Sequence, residues 1–219
     1  MKLVYFDARG VVETSRCLLA IANIPYEDQR FGIKPAESGG GFEYPEFAAA
    51  KARGELKVNM DRAPMLVVGN DVIGQSKAIE RYIARRGGFM GSNDIEAAQI
   101  DYICEHIRDI KEKYGKVRAI TDAAEKEAAM TKWFTTELSE WLSKLEMSLP
   151  SGRGAGYCVG NKVSLADVAV WSFLSDFFDN KEGVAASVKP CAQLVGIVDA
   201  VAALPALQKW LAERPQTNF

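Results

Sequence analysis

Apolar and polar residues follow two different patterns along this chain, and the change falls near residue 90. In the first part, a predicted strand at 2–6, apolar after Lys2, is followed by a helical repeat at 12–22 and by an extended stretch at 26–31. Short links join the three segments, so the strand, helix, strand order predicts a parallel pair with a right-handed crossover. The chain therefore begins as a small α/β fold.

A second set of elements completes this α/β part. A proline at a first helical position, Pro45, precedes a helical segment that ends near Lys51. Two apolar runs around the turn residues 69–71 predict a β-hairpin, and Gln75-Ser76 opens a helix that Gly87-Gly88 ends. The predicted order is β-α-β-α-β-β-α. The glycine-rich stretch 32–44 is predicted to be irregular and mobile.

From about residue 92 the pattern is helical only. Long helices are predicted at 93–116 and 122–148, and two shorter ones begin at Pro190 and Pro205. Ser164 and Asp167 have the spacing of a capping box. We place the boundary between Gly87 and Ser92, so the predicted domains are 1–86 and 92–219.

Composition excludes several classes of function. The net charge is −2 and lysines and arginines are scattered, so neither nucleic acid nor a membrane is an expected partner. No apolar run is long enough to span a bilayer, and we find no targeting segment. The four cysteines lie far apart and the chain has one histidine, so no metal site and no dithiol redox centre is expected. A reducing compartment, the cytoplasm, fits this cysteine pattern best. The cysteines are Cys17, Cys104, Cys158 and Cys191.

Tyr5, near the end of the first predicted strand, is the first candidate for chemistry. Its hydroxyl can lie beside the start of the following helix, where backbone dipoles favour an anion. The alternative is a half-buried strand aromatic with no chemical role, since aromatic residues are enriched in strands.

Taken together, these features resemble the cytosolic glutathione transferases. The resemblance covers nearly the whole chain, and it is closest to the tyrosine-type enzymes of the sigma class, with mu and pi next. The resemblance implies a thioredoxin-like, glutathione-binding N-terminal domain followed by an all-α domain that binds the electrophile. The residues that carry it are Tyr5-Phe6, Arg9-Gly10, Glu13, Pro64 before the third strand, Gln75-Ser76 and the Ser164/Asp167 pair.

The resemblance assigns the thiol chemistry to Tyr5. A thiol has an ordinary pKa of about 8.5, so a hydrogen bond from the Tyr5 hydroxyl would favour the nucleophilic thiolate. A cis bond before Pro64 would leave the Ala63 backbone free to pair with bound glutathione. Gln75 and Ser76 would hold the γ-glutamyl carboxylate at a helix N-terminus, although Ser76 alone could be an ordinary helix cap.

Three charged residues are weaker candidates for binding glutathione. Family members hold the glycyl carboxylate with a tryptophan and a lysine one helical turn apart, and here Phe47 and Lys51 have that spacing. Lys51 could equally be a solvated lysine, and Arg62 is a second candidate. The resemblance also implies that Asp109 contacts the glutathione amine from the partner subunit of a homodimer, or else is an exposed helix carboxylate.

The electrophile pocket is predicted from Val11, His106, Ile110 and Tyr114. Val11 stands where many sigma enzymes have a second arginine, which predicts a more apolar pocket. His106 could also be an ordinary helix residue. The predicted activity is conjugation of glutathione, a co-substrate, to a small hydrophobic electrophile, as in detoxification, with no metal and no cofactor. The alternatives are glutathione-dependent isomerisation or peroxide reduction with the same thiolate, and a non-catalytic binding or structural protein.

Overall fold

The structure is a computed structural model that describes residues 1–37 and 39–217. By its internal contacts the chain divides into two units. The first unit is Met1–Gly87 together with the segment from Lys209 onward, and the second unit is Gly88–Gln208. The predicted helical domain ran from 92 to 219, whereas this division falls inside the last helix, after Gln208, and groups the end of that helix with the first unit.

The first unit contains a four-stranded sheet in which β1 (Lys2–Phe6) lies between β2 (Glu27–Phe31) and β5 (Met65–Val68), and β6 (Asp71–Gly74) lies on the other side of β5. Strand β1 pairs in parallel with β2 and antiparallel with β5, which also pairs antiparallel with β6. The predicted parallel pair and the predicted hairpin are therefore confirmed. The elements are β1 (Lys2–Phe6), a 3₁₀ turn (Gly10–Val12), α1 (Glu13–Ile21), β2 (Glu27–Phe31), β3 (Lys34–Pro35), β4 (Phe42–Glu43), α2 (Pro45–Ala52), a second 3₁₀ turn (Lys57–Asn59), β5 (Met65–Val68), β6 (Asp71–Gly74) and α3 (Ser76–Gly87).

The stretch 32–44 is not wholly irregular, which corrects the prediction. Its ends form the short antiparallel pair of β3 and β4, in which Lys34 lies opposite Glu43. Two-residue strands are too short to produce an alternating pattern of apolar residues, so the sequence did not reveal them. Gly39 and Gly41 take positive φ values of 83° and 85° in the connecting turn. Ser38, part of the stretch predicted to be mobile, lies outside the described residues.

Helix α1 buries charged residues, which is uncommon for side chains of this kind. Glu13 is 3% exposed and Arg16 is fully buried. The Glu13 carboxylate accepts hydrogen bonds from Trp210 Nε1 and Arg214 Nη1, both at 2.9 Å. Arg16 in turn donates to Glu13 at 3.3 Å and forms an ion pair with Asp28 at 3.1 Å. We call these five residues the Glu13 cluster.

The second unit consists of helices, and no strand occurs among its described residues. Both long helices predicted there are present, the second interrupted by a π-helical turn. The elements are α4 (Asp94–Arg118), α5 (Ala123–Lys132), a π turn (Trp133–Glu137), α6 (Leu138–Met147), α7 (Leu165–Trp171), a second π turn (Ser172–Asp176), α8 (Lys181–Val188), α9 (Ala192–Ala202) and α10 (Pro205–Glu213), whose end belongs to the first unit.

The predicted capping box at the start of α7 is confirmed. The buried Asp167 carboxylate accepts from Ser164 N at 2.7 Å and from Ser164 Oγ at 2.6 Å, and it also accepts from the backbone N–H of Cys158. Burial raises the pKa of Asp167 above its ordinary value. The carboxylate therefore joins the preceding loop to the helix start inside the core.

Among the described residues, no single helix is both long and apolar enough to cross a bilayer. Helices α9 and α10 pass that test of length and composition only when they are taken together as a bent pair.

Candidate functional site

Three strand ends of the first unit meet at one edge of the sheet. In the register, Val4 lies opposite Met65, and Met65 lies opposite Gly74 on its other side. The next residues at this edge are Tyr5 on β1, Pro64 before β5 and Gln75 after β6. The sheet therefore brings together Tyr5, Ala63, Pro64, Gln75 and Ser76, which the sequence had placed in one site.

The Tyr5 hydroxyl lies against the 3₁₀ turn that leads into α1. A Cβ atom on Gly10 would fall 2.7 Å from Tyr5 Oη, and Gly10 has a φ of +45°, so only glycine allows this close approach. Burial raises the pKa of Tyr5, while a hydrogen bond from the Val11 backbone N–H and the charge of Arg16 act in the opposite direction. The phenol therefore keeps its proton at neutral pH and can donate it in a hydrogen bond.

The Ala63–Pro64 bond is cis, as predicted. Ala63 is the last residue before the buried Pro64, and β5 starts at Met65. Just before them, Met60 and Asp61 have left-handed backbone conformations, with φ values of 55° and 58°. Such conformations cost energy for residues other than glycine and persist where the surrounding structure holds them.

Asn59 holds this loop, although no pattern in the sequence indicated it. Its side chain is buried at 5% exposure, and Nδ2 donates to the carbonyls of Arg62 at 3.0 Å and Pro64 at 2.8 Å. Its Oδ1 accepts from Gln75 N at 3.1 Å. Sequence patterns could not reveal it, because all its partners are backbone atoms and one of them is 16 residues away.

Gln75 and Ser76 form the start of α3. Ile79 N donates to the Gln75 carbonyl at 3.0 Å, so Gln75 is the N-cap and Ser76 is the first helical residue. This corrects the alternative in which Ser76 is the cap. Gln75 also has a left-handed conformation, with a φ of 68°, and its side chain is exposed. The N–H groups of this first turn can bind an anion.

The two predicted cations of the first unit are both exposed. Lys51 lies in the last turn of α2, and Arg62 has a nitrogen 3.4 Å from Met60 Sδ. Phe47, one helical turn before Lys51, packs its ring against Phe6 at 4.9 Å and so contributes to the core of the first unit. The sheet register does not show where either cation lies relative to Tyr5, because neither residue is in a strand. Their roles in binding glutathione stay predictions.

The remaining predicted residues are divided between the units. Val11, in the first unit, is 53% exposed. In the second unit, His106 is exposed with its ring against Tyr102, and the Asp109 carboxylate is 57% exposed and lies 4.0 Å from Arg108. Their predicted roles, in the electrophile pocket and across a dimer, stay predictions.

Ile110 and Tyr114 are core residues of the second unit. Ile110 is 2% exposed and Tyr114 is 5% exposed. The Tyr114 ring packs within 6 Å of four other aromatic rings of that unit, those of Trp133, Phe134, Phe177 and Phe178. Little of either side chain is accessible to line the predicted electrophile pocket. Within the described residues, no group of three or more His, Cys, Asp or Glu side chains is arranged to hold a metal ion.

Comparison with known proteins agrees with this geometry. Residues 1–85 match the family model for the glutathione S-transferase N-terminal domain, and residues 108–214 match a model for the C-terminal domain. A glutathione S-transferase 1 of Ascaris suum is 29% identical, with 100% of this chain and 98% of the relative covered. A hematopoietic prostaglandin D synthase of Gallus gallus is 31% identical, with 99% of this chain and 97% of the relative covered.

A solved structure of similar fold is the glutathione S-transferase from Ascaris lumbricoides. It has a TM-score of 0.77 and 26% identity, and the match covers 100% of this chain and 98% of that one. The assignment to the sigma class stays a prediction. Since two models of one family span most of the sequence, and full-length relatives match both units, this chain is an enzyme of the glutathione S-transferase family.

Proposed function

We propose that this enzyme binds glutathione at the sheet edge of its first unit and conjugates it to a small hydrophobic electrophile. One observation carries the proposal. The protonated Tyr5 phenol lies beside the Val11 N–H, at the edge where the Ala63 backbone and the start of α3 also lie. A donor for a sulfur anion and two groups that bind a peptide thus share one edge.

The chemistry follows from the proton on Tyr5. Glutathione loses its thiol proton to solvent, and the Tyr5 hydroxyl donates a hydrogen bond to the resulting thiolate. The Val11 N–H already donates to the phenol oxygen, so the phenolic proton is left to point at the ligand. The thiolate then attacks the electrophilic carbon. With a nitroaryl chloride, a carbon–sulfur bond forms and chloride leaves with the electron pair of the carbon–chlorine bond.

The rest of glutathione is assigned by charge and hydrogen bonding. The γ-glutamyl carboxylate would bind at Gln75 and Ser76, where the backbone N–H groups of the first helical turn and the Ser76 hydroxyl can donate to it. The cysteinyl backbone would pair with Ala63 beside Pro64. Lys51 and Arg62 are the candidates for the glycyl carboxylate, because both are exposed cations of this unit.

We further propose a cytoplasmic homodimer in which Asp109 of one subunit approaches the glutathione amine of the other. The exposed carboxylate of Asp109 supports this role. Val11 in the first unit and His106 in the second are exposed, whereas Ile110 and Tyr114 are buried, so Val11 and His106 stay the candidates for contact with the electrophile. The reaction requires glutathione as co-substrate and no cofactor. Light scattering of the wild type and of Asp109→Ala measures the oligomeric state of each, independently of the enzyme assay.

Glutathione-dependent isomerisation is a second candidate function. It is supported by the 31% identity to a relative named prostaglandin D synthase. An isomerase would use the same thiolate at Tyr5 and return glutathione unchanged. Mass spectrometry of the products decides between the two, because conjugation consumes glutathione and isomerisation does not.

The decisive variant is Tyr5→Phe, assayed with a nitroaryl chloride at pH 6.5. A hydrogen bond to a charged group contributes about 1.5–3 kcal/mol, so we expect turnover to fall about 10- to 100-fold while glutathione still binds. The matched control is Tyr26→Phe, since the buried Tyr26 hydroxyl of the same unit has no hydrogen-bond partner. Unchanged turnover in Tyr5→Phe would remove Tyr5 from the mechanism.

Ser76→Ala tests the carboxylate site. Loss of the hydroxyl should weaken the affinity for immobilised glutathione about tenfold, because a bond to a carboxylate is lost. Ser151→Ala, in an exposed turn of the second unit, is the control. Elution of Ser76→Ala together with the wild type would show that Ser76 does not contact the ligand.

A further inference from the structure

The side chain of Asn59 joins two segments that the proposed function assigns to one ligand. The first is the loop of Ala63, which Asn59 holds through the carbonyls on either side of it, those of Arg62 and Pro64. The second is the start of α3, which it holds through the N–H of Gln75. One buried amide thus uses both of its donors and its acceptor on the backbone of the site.

The site leaves no room for Asn59 to take another position. A Cβ atom on Gly74 would fall 2.5 Å from Asn59 Oδ1, so the side chain fits directly against the end of β6. Both N–H donors and the oxygen of this buried amide have partners, so a shift of the side chain would leave polar atoms without partners. The contact between Gly74 and Asn59 therefore fixes the separation of the two segments.

The backbone around Asn59 depends on such support. Met60 and Asp61 follow it in left-handed conformations, and Gln75, whose N–H it accepts, is left-handed as well. These are three of the four residues other than glycine with a positive φ among those that the structure describes. The Asn59 side chain closes the loop just after Met60 and Asp61, at the carbonyls of Arg62 and Pro64, and it also accepts from the N–H of Gln75 at the helix start.

We propose that Asn59 is a positioning residue for glutathione. It sets the distance between the Ala63 backbone and the first turn of α3, so that one peptide can engage both at once. The inference rests on the proposed function, and it adds that the affinity for glutathione depends on a side chain that does not touch it. Positioning of this kind reduces the cost of ordering the site when the ligand binds.

The test uses two variants that alter the contact from opposite sides. Asn59→Asp keeps the shape and the acceptor for Gln75, but places a carboxylate oxygen against two carbonyl oxygens. Gly74→Ala leaves Asn59 intact and displaces it. In each folded variant we expect the KM for glutathione to rise about tenfold, while the KM for the nitroaryl chloride and the kcat at saturating glutathione stay within twofold. The control is Asn70→Asp, in the exposed hairpin turn.

A purely structural role predicts another result. A general loss of folded protein lowers the apparent kcat and leaves both KM values unchanged, so this pattern, or a wild-type KM for glutathione in both variants, would overturn the proposal. A double variant adds a second readout, since Ser76→Ala should cost less affinity in an Asn59→Asp background if Asn59 acts through the helix start.

Hydrogen exchange on the wild-type enzyme tests the inference without a variant. Saturating glutathione should slow amide exchange in 59–63 and at Gln75 together, and protection of only one of the two segments would contradict the proposal. If the wild type neither binds nor conjugates glutathione, the proposed function fails as well. If the wild type binds and conjugates glutathione but both variants keep the wild-type KM for glutathione, only the proposed role of Asn59 is refuted.

Discussion

Replacing Glu13 by glutamine tests how much the buried charges of the Glu13 cluster stabilise the first unit. The amide has the same shape as the carboxylate but only one acceptor. If its oxygen accepts from Trp210 and Arg214, its NH₂ group must face the Arg16 guanidinium, which donates to Glu13 at 3.3 Å. Two donors then oppose each other beside an arginine that is fully buried.

The expected loss of stability depends on the contacts that Arg16 retains in the variant. Breaking a buried ion pair by removing one partner costs about 3–5 kcal/mol. Arg16 still donates to the Ala8 carbonyl at 2.7 Å and keeps its ion pair with Asp28, so we expect the lower end, about 3 kcal/mol. For a chain of this length, that loss corresponds to a fall in Tm of about 6–12 °C.

Urea denaturation followed by circular dichroism, together with a thermal melt, measures this effect. The matched control is Glu112→Gln. The Glu112 carboxylate is 66% exposed and lies 3.7 Å from Arg108, so its loss should change the free energy of unfolding by less than about 1 kcal/mol. If Glu13→Gln unfolds within about 0.5 kcal/mol of the wild type, the Glu13 cluster does not stabilise the fold and the reasoning is refuted.

Three further predictions concern ionisable groups. Burial raises the pKa of Tyr5 above its ordinary value of about 10, so the phenol stays neutral from pH 6 to 9. The pH–rate profile should therefore show one transition, that of the glutathione thiol, and Tyr5→Phe should move this transition to a pH about 1–2 units higher. Asp167→Asn should lower the free energy of unfolding by about 2–3 kcal/mol in urea denaturation, because an NH₂ group would face Ser164 N. The control Asp122→Asn keeps an exposed helix cap, so it should change the free energy of unfolding little. All four cysteines are buried thiols, and burial raises the pKa of Cys158 and Cys191. A disulfide reagent should therefore react slowly with the native enzyme, and it should titrate four thiols in denaturant. A thiol that reacts fast in the native enzyme would contradict this.

The fold was predictable where local patterns set it. Short apolar runs and helical repeats located the main strands and helices, and Pro45 marked the first turn of α2. The pair of β3 and β4 was missed because each strand has two residues. The burial of charge on α1 was missed for another reason. A glutamate and an arginine on a helix indicate a solvated face unless partners compensate them, and two of those partners lie near the other end of the chain.

The site was predictable only in its parts. Tyr5 lies near the end of an apolar run, Pro64 precedes one and Ser76 follows one, so the sequence could place them at element ends. The sheet register then brought those ends together. Asn59 carries no such signal, because it bonds backbone groups in a loop without periodicity. Three of the four side chains assigned to the electrophile pocket, His106, Ile110 and Tyr114, were chosen from one face of α4, and periodicity does not distinguish a core face from a ligand-lining face.

The Glu13 cluster has a consequence for synthesis on the ribosome. Trp210 lies 197 residues after Glu13, so at a typical 5–20 residues per second the nascent chain carries that carboxylate for roughly 10–40 s before its indole donor is made. The first unit cannot reach its final hydrogen bonding while the helical unit is still being translated. Products of premature termination before residue 210 would lack the donors of Trp210 and Arg214, so their Glu13 carboxylate would keep only Arg16 as a partner among the described residues, and quality-control proteases would meet an incompletely bonded first unit.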